Sequence, residues 1–317
     1  METALQITGT AAVIQAQELT DALAAQFISF IDAAPQSVAI YRAGTRKLLD
    51  WLSSKGITQP RRDDVLAYRD ELKANYKPTT VSLYMTAARL FFRWTDQQGF
   101  YPNIADNVKG AKLDREHKKE CLTSHAVKDV LQAAKGDTLA GLRDYAILAL
   151  MTTCGLRCIE VTRANIEDLR TVAAENTLAP ALYLQGKSRE EKTDFAKLPP
   201  QVAQAINAYL KARGKADSKA PLFASISHNS KGQRLTTRSV SRLVKGHLVA
   251  AGYDRATMTA HSLRHTAATL ALLNGETLGQ VQKMLRHANI NTTMIYEHAI
   301  ERAKSTCEYT VANAIFA

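Results

Sequence analysis

The chain has 317 residues, 46% hydrophobic and 22% charged, with a formal net charge of +11. That length and composition suit a globular protein of about two domains. They exclude a membrane span, because no run of ~18 apolar residues occurs, and the N-terminal METALQITGTAAVIQAQELT lacks the basic stretch and cleavage site of a secretory signal.

The first third reads as four helices. Residues 18–31 place Leu23, Phe27, Phe30 and Ile31 at helical spacing, and residues 36–55 continue with Val38, Tyr41, Leu48, Leu49, Trp51 and Leu52 until Gly56. A third helix spans 63–74, with Asp63 and Asp64 as expected caps. A fourth spans 78–98, with Leu83, Leu90, Phe91 and Trp94 on its expected buried face. Residues 109–121 (KGAKLDREHKKEC) are charged and lack an apolar period, so a linker is expected at 113–120 between an N-terminal domain (1–112) and a second domain (121–317).

Thr123-Ser124 caps the next helix. Further helices are expected at 124–135, 140–154, 158–164, 199–213, 237–251, 261–273, 277–286 and 292–303. Between them ALYLQGK (181–187) and TDFAKLP (193–199) read as two strands joined by a charged turn. The fold class expected is mainly α, with a small antiparallel β-sheet in the C-terminal domain. The charge is uneven: residues 1–112 carry +2 and the remainder +9. A basic second domain favours a polyanionic partner, since lysine and arginine displace counterions from phosphates. Cys121, Cys154, Cys158 and Cys307 are too sparse for a disulfide framework, and no further ligands accompany them for zinc, so reduced, partly buried thiols are expected.

Four short pieces carry candidate chemistry: CGLRCIEV (154–161), LQGKSREEK (184–192), HSLRHT (261–266) and LRHANINTTMIYEH (285–298). His261 and Arg264 are three apart and share one face if helical. Arg157 follows an apolar helix, and Glu160, one turn on, is placed to hold its guanidinium. Lys187 stands at the Gly-Lys-Ser end of the first strand. Tyr296 has an ordinary pKa near 10 and becomes a nucleophile only where cations stabilise charge on its oxygen. Taken singly, these are a solvated face, a snorkelling arginine, a soluble hairpin tip and a core aromatic. Taken together, they fit phosphoryl transfer, which needs positioning and neutralisation of the equatorial oxygens. The tyrosine would take the phosphate and the lysine would protonate the leaving alkoxide. The set has no carboxylate cluster for Mg²⁺, so neither metal nor cofactor is expected.

These boxes resemble the tyrosine recombinases, the phage-integrase-type site-specific recombinases, over residues 18–303. GLRCIEV is similar to the family's Gly-Leu-Arg box and HSLRHT to its His-x-x-Arg-His box, and LRHANINTTMIYEH matches the final His/Tyr box. The intervals of 23 residues from Arg264 to His287 and nine from His287 to Tyr296 fit the simple recombinases. The resemblance implies catalytic roles for Arg157, Lys187, His261, Arg264, His287 and Tyr296, with Glu160 in support. Two positions depart from the family: Ile159 replaces a frequent serine, and Arg286 a frequent glycine. Arg286 is expected to face solvent.

The resemblance further implies a helical core-binding domain and a catalytic domain forming a clamp around duplex DNA. It implies cleavage through a 3′-phosphotyrosyl intermediate for integration, excision or resolution, and four protomers on two DNA sites. With about 17 residues before the first helix, no arm-binding domain is expected, which points to the Xer-like or transposon-encoded kind. The tail, with Tyr309, Val311, Ile315 and Phe316, is expected to dock in a neighbouring protomer. Helices 78–98 and 237–251 are expected to meet DNA through Thr79, Thr80, Arg89, Arg238 and Arg242. The expected location is the cytoplasm. Three other readings stay open: a type IB topoisomerase-like relaxing enzyme, a non-catalytic DNA-binding regulator, and a metal-dependent phosphodiesterase using the histidines as ligands.

Overall fold

The structure, a computed structural model, describes residues 18–112, 120–174, 177–185, 191–296 and 307–316. The chain forms two compact units, residues 1–116 and 117–317. Most of the expected linker, 113–119, lies outside the described residues.

The first unit holds α1 (Asp21–Phe30), α2 (Pro35–Ser54), α3 (Arg62–Asn75) and α4 (Pro78–Gln97). Proline at the first turn of α2 and α4 suits positions whose N–H groups have no helical partner. Asp64 caps α3 by accepting from the Arg61 N–H at 2.6 Å, and Asp63 makes no such contact. The core joins Phe27, Leu48, Leu52, Tyr68, Met85, Phe91 and Phe92. Val38 and Tyr41 are half-buried outside it, and two further expected core residues are exposed. Phe30 is 60% exposed because α1 ends there, and its ring only covers the outer side of Trp94. Leu83 is 46% exposed because the buried stripe of α4 runs Val81, Met85, Ala88, Phe92, and Leu83 projects roughly opposite to it.

The second unit contains α5 (Ser124–Ala134), α6 (Leu139–Cys154), α7 (Cys158–Arg163), β1 (Leu169–Ala174), β2 (Thr177–Leu184), β3 (Asp194–Lys197), α8 (Pro200–Arg213), α9 (Thr237–Ala250), α10 (Ala260–Leu273) and α11 (Leu278–Leu285). Residues 291–296 are helical (α12), and α13 spans Cys307–Phe316. Helix α6 buries every residue from Ala146 to Met151, as befits a helix apolar all round. It packs on α5, α8 and α10.

The sheet is antiparallel with order β1-β2-β3, pairing Leu169 with Leu182 and Tyr183 with Phe195. It has one more strand than the sequence predicts. Of β1, Val172 is buried while Arg170, Thr171 and Ala173 are exposed, so no alternating pattern announces it. Pro180 also hides the front of β2, because proline argues against a central strand; its carbonyl nevertheless accepts from Leu198 N at 2.8 Å. No helix among the described residues is long and apolar enough to cross a membrane.

Candidate functional site

Helix α6 stops at Gly155, which takes the left-handed conformation (φ 62°, ψ 32°), open to glycine without steric cost. The chain turns there, buries Leu156, and starts α7 with Arg157 as its N-cap residue. Glu160, at the third position of α7, accepts from the Arg157 N–H at 2.8 Å and from Arg157 Nη1 at 2.9 Å. One carboxylate thus starts the helix and orients the guanidinium. The Glu160 side chain is fully buried. Burial alone would raise its pKa, but the charge and hydrogen bond of Arg286, the Arg157 N–H and the charge of Arg264 outweigh it. Glu160 therefore ends below the usual carboxylate value, ionised at neutral pH.

Arg264 projects from α10 and is 1% exposed. Its Nη1 donates to the Gly155 carbonyl at 2.5 Å and its Nη2 to the Leu285 carbonyl. Those carbonyls close α6 and α11, where helices have unsatisfied acceptors and a partial negative charge. Glu160 Oε2 lies 4.0 Å from Nη1. Burial first, then the charges of Arg157 and Arg286, push the Arg264 pKa down to about 9 against the pull of Glu160 and Tyr296. It stays a cation at neutral pH. Its buried Nε has no hydrogen-bond partner among the described residues.

The end of α11 differs from expectation at Arg286. Its backbone is left-handed (φ 56°, ψ 45°), a conformation that glycine adopts without steric cost. Its side chain does not face solvent. It is 5% exposed and turned inward, with Nη2 2.9 Å and Nε 3.5 Å from the Glu160 oxygens and Nη1 2.7 Å from the Met284 carbonyl. Glu160, buried and anionic, attracts it more strongly than water does.

His287 follows. Its Nδ1 lies 2.8 Å from the hydroxyl of the buried Thr293, and its backbone is held by Gln282 through N–H to O at 3.1 Å and Nε2 to O at 3.0 Å. Burial, then the charges of Arg264, Arg157, Arg286 and His261, lower its pKa to about 4, so the imidazole is neutral at neutral pH.

Tyr296, 5% exposed, packs with Ala268, Val281 and Leu285 in a small core of α10, α11 and α12. Its ring meets His265 at 5.1 Å between centroids, and His265 meets the exposed His261 edge-on at 4.4 Å. Burial raises the Tyr296 pKa, while the nearby charges of Arg264 and Arg157 pull it back. Arg157, Glu160, His261, Arg264, His287 and Tyr296 thus share one neighbourhood, drawn from α7, α10, α12 and the turn after α11. Lys187 lies outside the described residues.

Sequence reasoning missed Arg286, His265 and Thr293. His265 was readable one turn beyond His261 in HSLRHT, and Thr293 one turn before Tyr296. No pattern gave the direction of the Arg286 side chain.

Of the residues expected at DNA, Thr79, Arg238 and Arg242 are exposed and Thr80 is half-buried. Arg89 donates to the Val108 carbonyl and the Thr86 hydroxyl, both at 3.1 Å, within the first unit. Among the described residues no group of three His, Cys, Asp or Glu side chains is placed to hold a metal ion. Cys154 is buried, and burial pushes its thiol up to about 12. Cys158 is half-buried, whereas Cys121 and Cys307 are exposed.

Residues 120–302 match the phage integrase family, and residues 26–99 match the phage integrase N-terminal SAM-like domain. A tyrosine recombinase of Synechocystis sp. is 30% identical over 74% of this chain and 72% of its own length. The tyrosine recombinase XerD of Lacticaseibacillus casei is 30% identical over 87% of this chain and 93% of its own. Among solved structures, the XerH site-specific recombinase in a post-cleavage complex with its palindromic difH substrate shares the fold. It has a TM-score of 0.71 at 20% identity, covering 87% of this chain and 81% of that one.

Proposed function

The chain belongs to the phage integrase family of tyrosine recombinases, enzymes that cleave and rejoin DNA strands at specific sites, and we propose that Tyr296 is its nucleophile. The Tyr296 oxygen attacks the scissile phosphorus. The bond to the 5′-oxygen breaks and a 3′-phosphotyrosyl link forms. Lys187 supplies the proton taken by the departing 5′-oxygen. The 5′-hydroxyl of a partner strand then reverses the link, so the diester's bond energy is retained and no nucleotide cofactor is consumed.

Arg157, Arg264 and His287 bind the non-bridging oxygens, where charge develops in the transition state. In the tautomer whose Nδ1 accepts from the Thr293 hydroxyl, 2.8 Å away, the neutral His287 ring carries its proton on Nε2 and offers it to a phosphate oxygen. The buried Arg264 Nε is an unspent donor for the same purpose. His261 assists by hydrogen bonding or proton transfer, edge-on to His265, whose ring in turn meets Tyr296. Glu160 fixes Arg157.

The observation that carries this reading is that Arg157, Arg264, His287 and Tyr296 are linked into one cluster through Glu160, Leu285 and Thr293. Thr79, Thr80, Arg89, Arg238 and Arg242 are assigned to DNA contacts, as phosphate clamps or base readers. The helical unit serves as the core-binding domain and, like the catalytic unit, contacts duplex DNA. The enzyme acts in the cytoplasm as four copies on two sites. Tyr309, Val311, Ile315 and Phe316, between 56% and 85% exposed on α13, supply the apolar face that a neighbouring copy covers.

The test is a nicked suicide substrate. Wild-type protein traps a covalent adduct. Tyr296→Phe binds the same DNA and traps none; an adduct in that variant moves the nucleophile to another residue.

A further inference from the structure

We infer that Arg286 is a positioning residue of this centre: it holds both oxygens of the Glu160 carboxylate that orients Arg157 and ties the turn that delivers His287 to the helix that delivers Arg157. The inference rests on the reading of the site given above.

Three observations carry it. First, residue 286 is left-handed (φ 56°), a conformation that costs a residue with a β-carbon roughly 1–2 kcal/mol and glycine almost nothing. Closing α11 therefore does not call for an arginine. Second, a basic side chain at a helix end ordinarily runs its charge out to water, yet this one is 5% exposed. All three of its guanidinium nitrogens bond within the protein, two to Glu160 and one to the Met284 carbonyl. Third, both Glu160 oxygens are shared. Oε1 takes Arg157 Nη1 and Arg286 Nε, and Oε2 takes the Arg157 N–H and Arg286 Nη2. The carboxylate is thus a bridge between two guanidiniums separated by 129 positions in the sequence, with Arg264 at 4.0 Å as a third.

The groups facing this bridge are Arg157 from α7, Arg264 from α10, His287 beyond α11 and the Cys154 thiol at the end of α6. Once the charge of Arg286 is removed, burial acts on Glu160 with less opposition. Its proton affinity rises, and a protonated Glu160 accepts less strongly from Arg157. The His287 turn loses its tie to α7 at the same time.

Single-turnover cleavage of the suicide substrate at saturating protein, run across a pH series with DNA binding and thermal melting in parallel, tests this. Arg286→Gly relieves the backbone, and Arg286→Gln keeps a shorter polar side chain while removing the charge. Both are expected to bind the site within about twofold of wild type and to cleave it roughly tenfold more slowly, with the deficit growing toward acid pH. In a Glu160→Gln background the same changes add less than about twofold, because the bridge is already gone. Cleavage by Arg286→Gln at the wild-type rate and with the wild-type pH profile overturns the inference. So does a large loss of binding with unchanged saturated cleavage, which makes Arg286 a DNA contact. A wild-type protein that traps no adduct refutes the recombinase mechanism itself, whatever position 286 does.

Discussion

Gly155→Ala is the substitution for which the structure gives the most definite outcome. A β-carbon at 155 would lie 2.6 Å from Leu285 Cδ2, 3.6 Å from Ala267 Cβ and 3.9 Å from Arg264 Cγ. Leu285 is fully buried, so its methyl has no open space to enter. The backbone at 155 is left-handed (φ 62°), which costs alanine about 1 kcal/mol relative to glycine. Overpacking adds about 1–3 kcal/mol, so the second unit should lose ~2–4 kcal/mol. The active centre should suffer more than stability implies. The carbonyls of Gly155 and Leu285 are the two that hold Arg264, and a shift of ~1 Å in such a group costs about 100-fold in rate.

The two tryptophans, Trp51 and Trp94, both lie in the first unit. Urea unfolding followed by tryptophan fluorescence should therefore be unmoved, while the transition seen by far-ultraviolet circular dichroism shifts to lower denaturant. Adding Leu285→Val, which removes the offending Cδ2, should recover part of the loss. A circular-dichroism midpoint equal to wild type with cleavage within about twofold would refute the packing argument. A shift confined to fluorescence would do the same.

The remaining expectations concern His287 and the tail. With its folded pKa near 4 and its ordinary value at 6.5, His287 takes up its proton in the unfolded chain first as pH falls. Its contribution to stability is therefore complete above about 6.5 and is lost progressively down to about 4. An NMR titration should find the ring neutral down to that lower limit, and a protonated ring at pH 6 would contradict its placement among three guanidiniums. Thr293→Val removes the hydroxyl at His287 Nδ1 and should cost about 1 kcal/mol in stability and roughly tenfold in cleavage, with binding unchanged; unchanged cleavage would show that the ring orients itself without Thr293. Deleting residues 305–317 should abolish pairing of two DNA sites while leaving single-site binding largely intact, and full recombination by the truncated protein would remove the tail from the assembly.

Much of the architecture was legible in the sequence because helix signals are local. Thr123 caps α5 through the Ala126 N–H, Pro78 opens α4 and Gly155 closes α6, and each signal sits within a few residues of the boundary it sets. Strand β1 was not legible because its identity depends on pairing with β2, while only Val172 among its described side chains is buried. The candidate site was legible as four boxes, since residue types and intervals survive in one dimension. What could not be read was the destination of Arg286. A left-handed position says that glycine would fit and nothing about where a longer side chain goes. That direction is set by a buried carboxylate 126 positions away.

The two left-handed turns, at 155 and 286, explain how a guanidinium can sit 1% exposed without collapsing the fold. Taking such a charge out of water costs several kcal/mol unless its donors are met. Here α6 and α11 both end against Arg264, each giving it a carbonyl from the negative end of a helix, and Glu160 adds a full negative charge nearby. The compensation is incomplete. Three guanidiniums face one carboxylate; the excess of positive charge adds to the burial that keeps His287 neutral and opposes the burial that raises the Tyr296 pKa. In the proposed mechanism a bound phosphodiester would supply the missing negative charge. A fully neutralised cluster would be easier to fold and would offer nothing to the oxygens of a transition state.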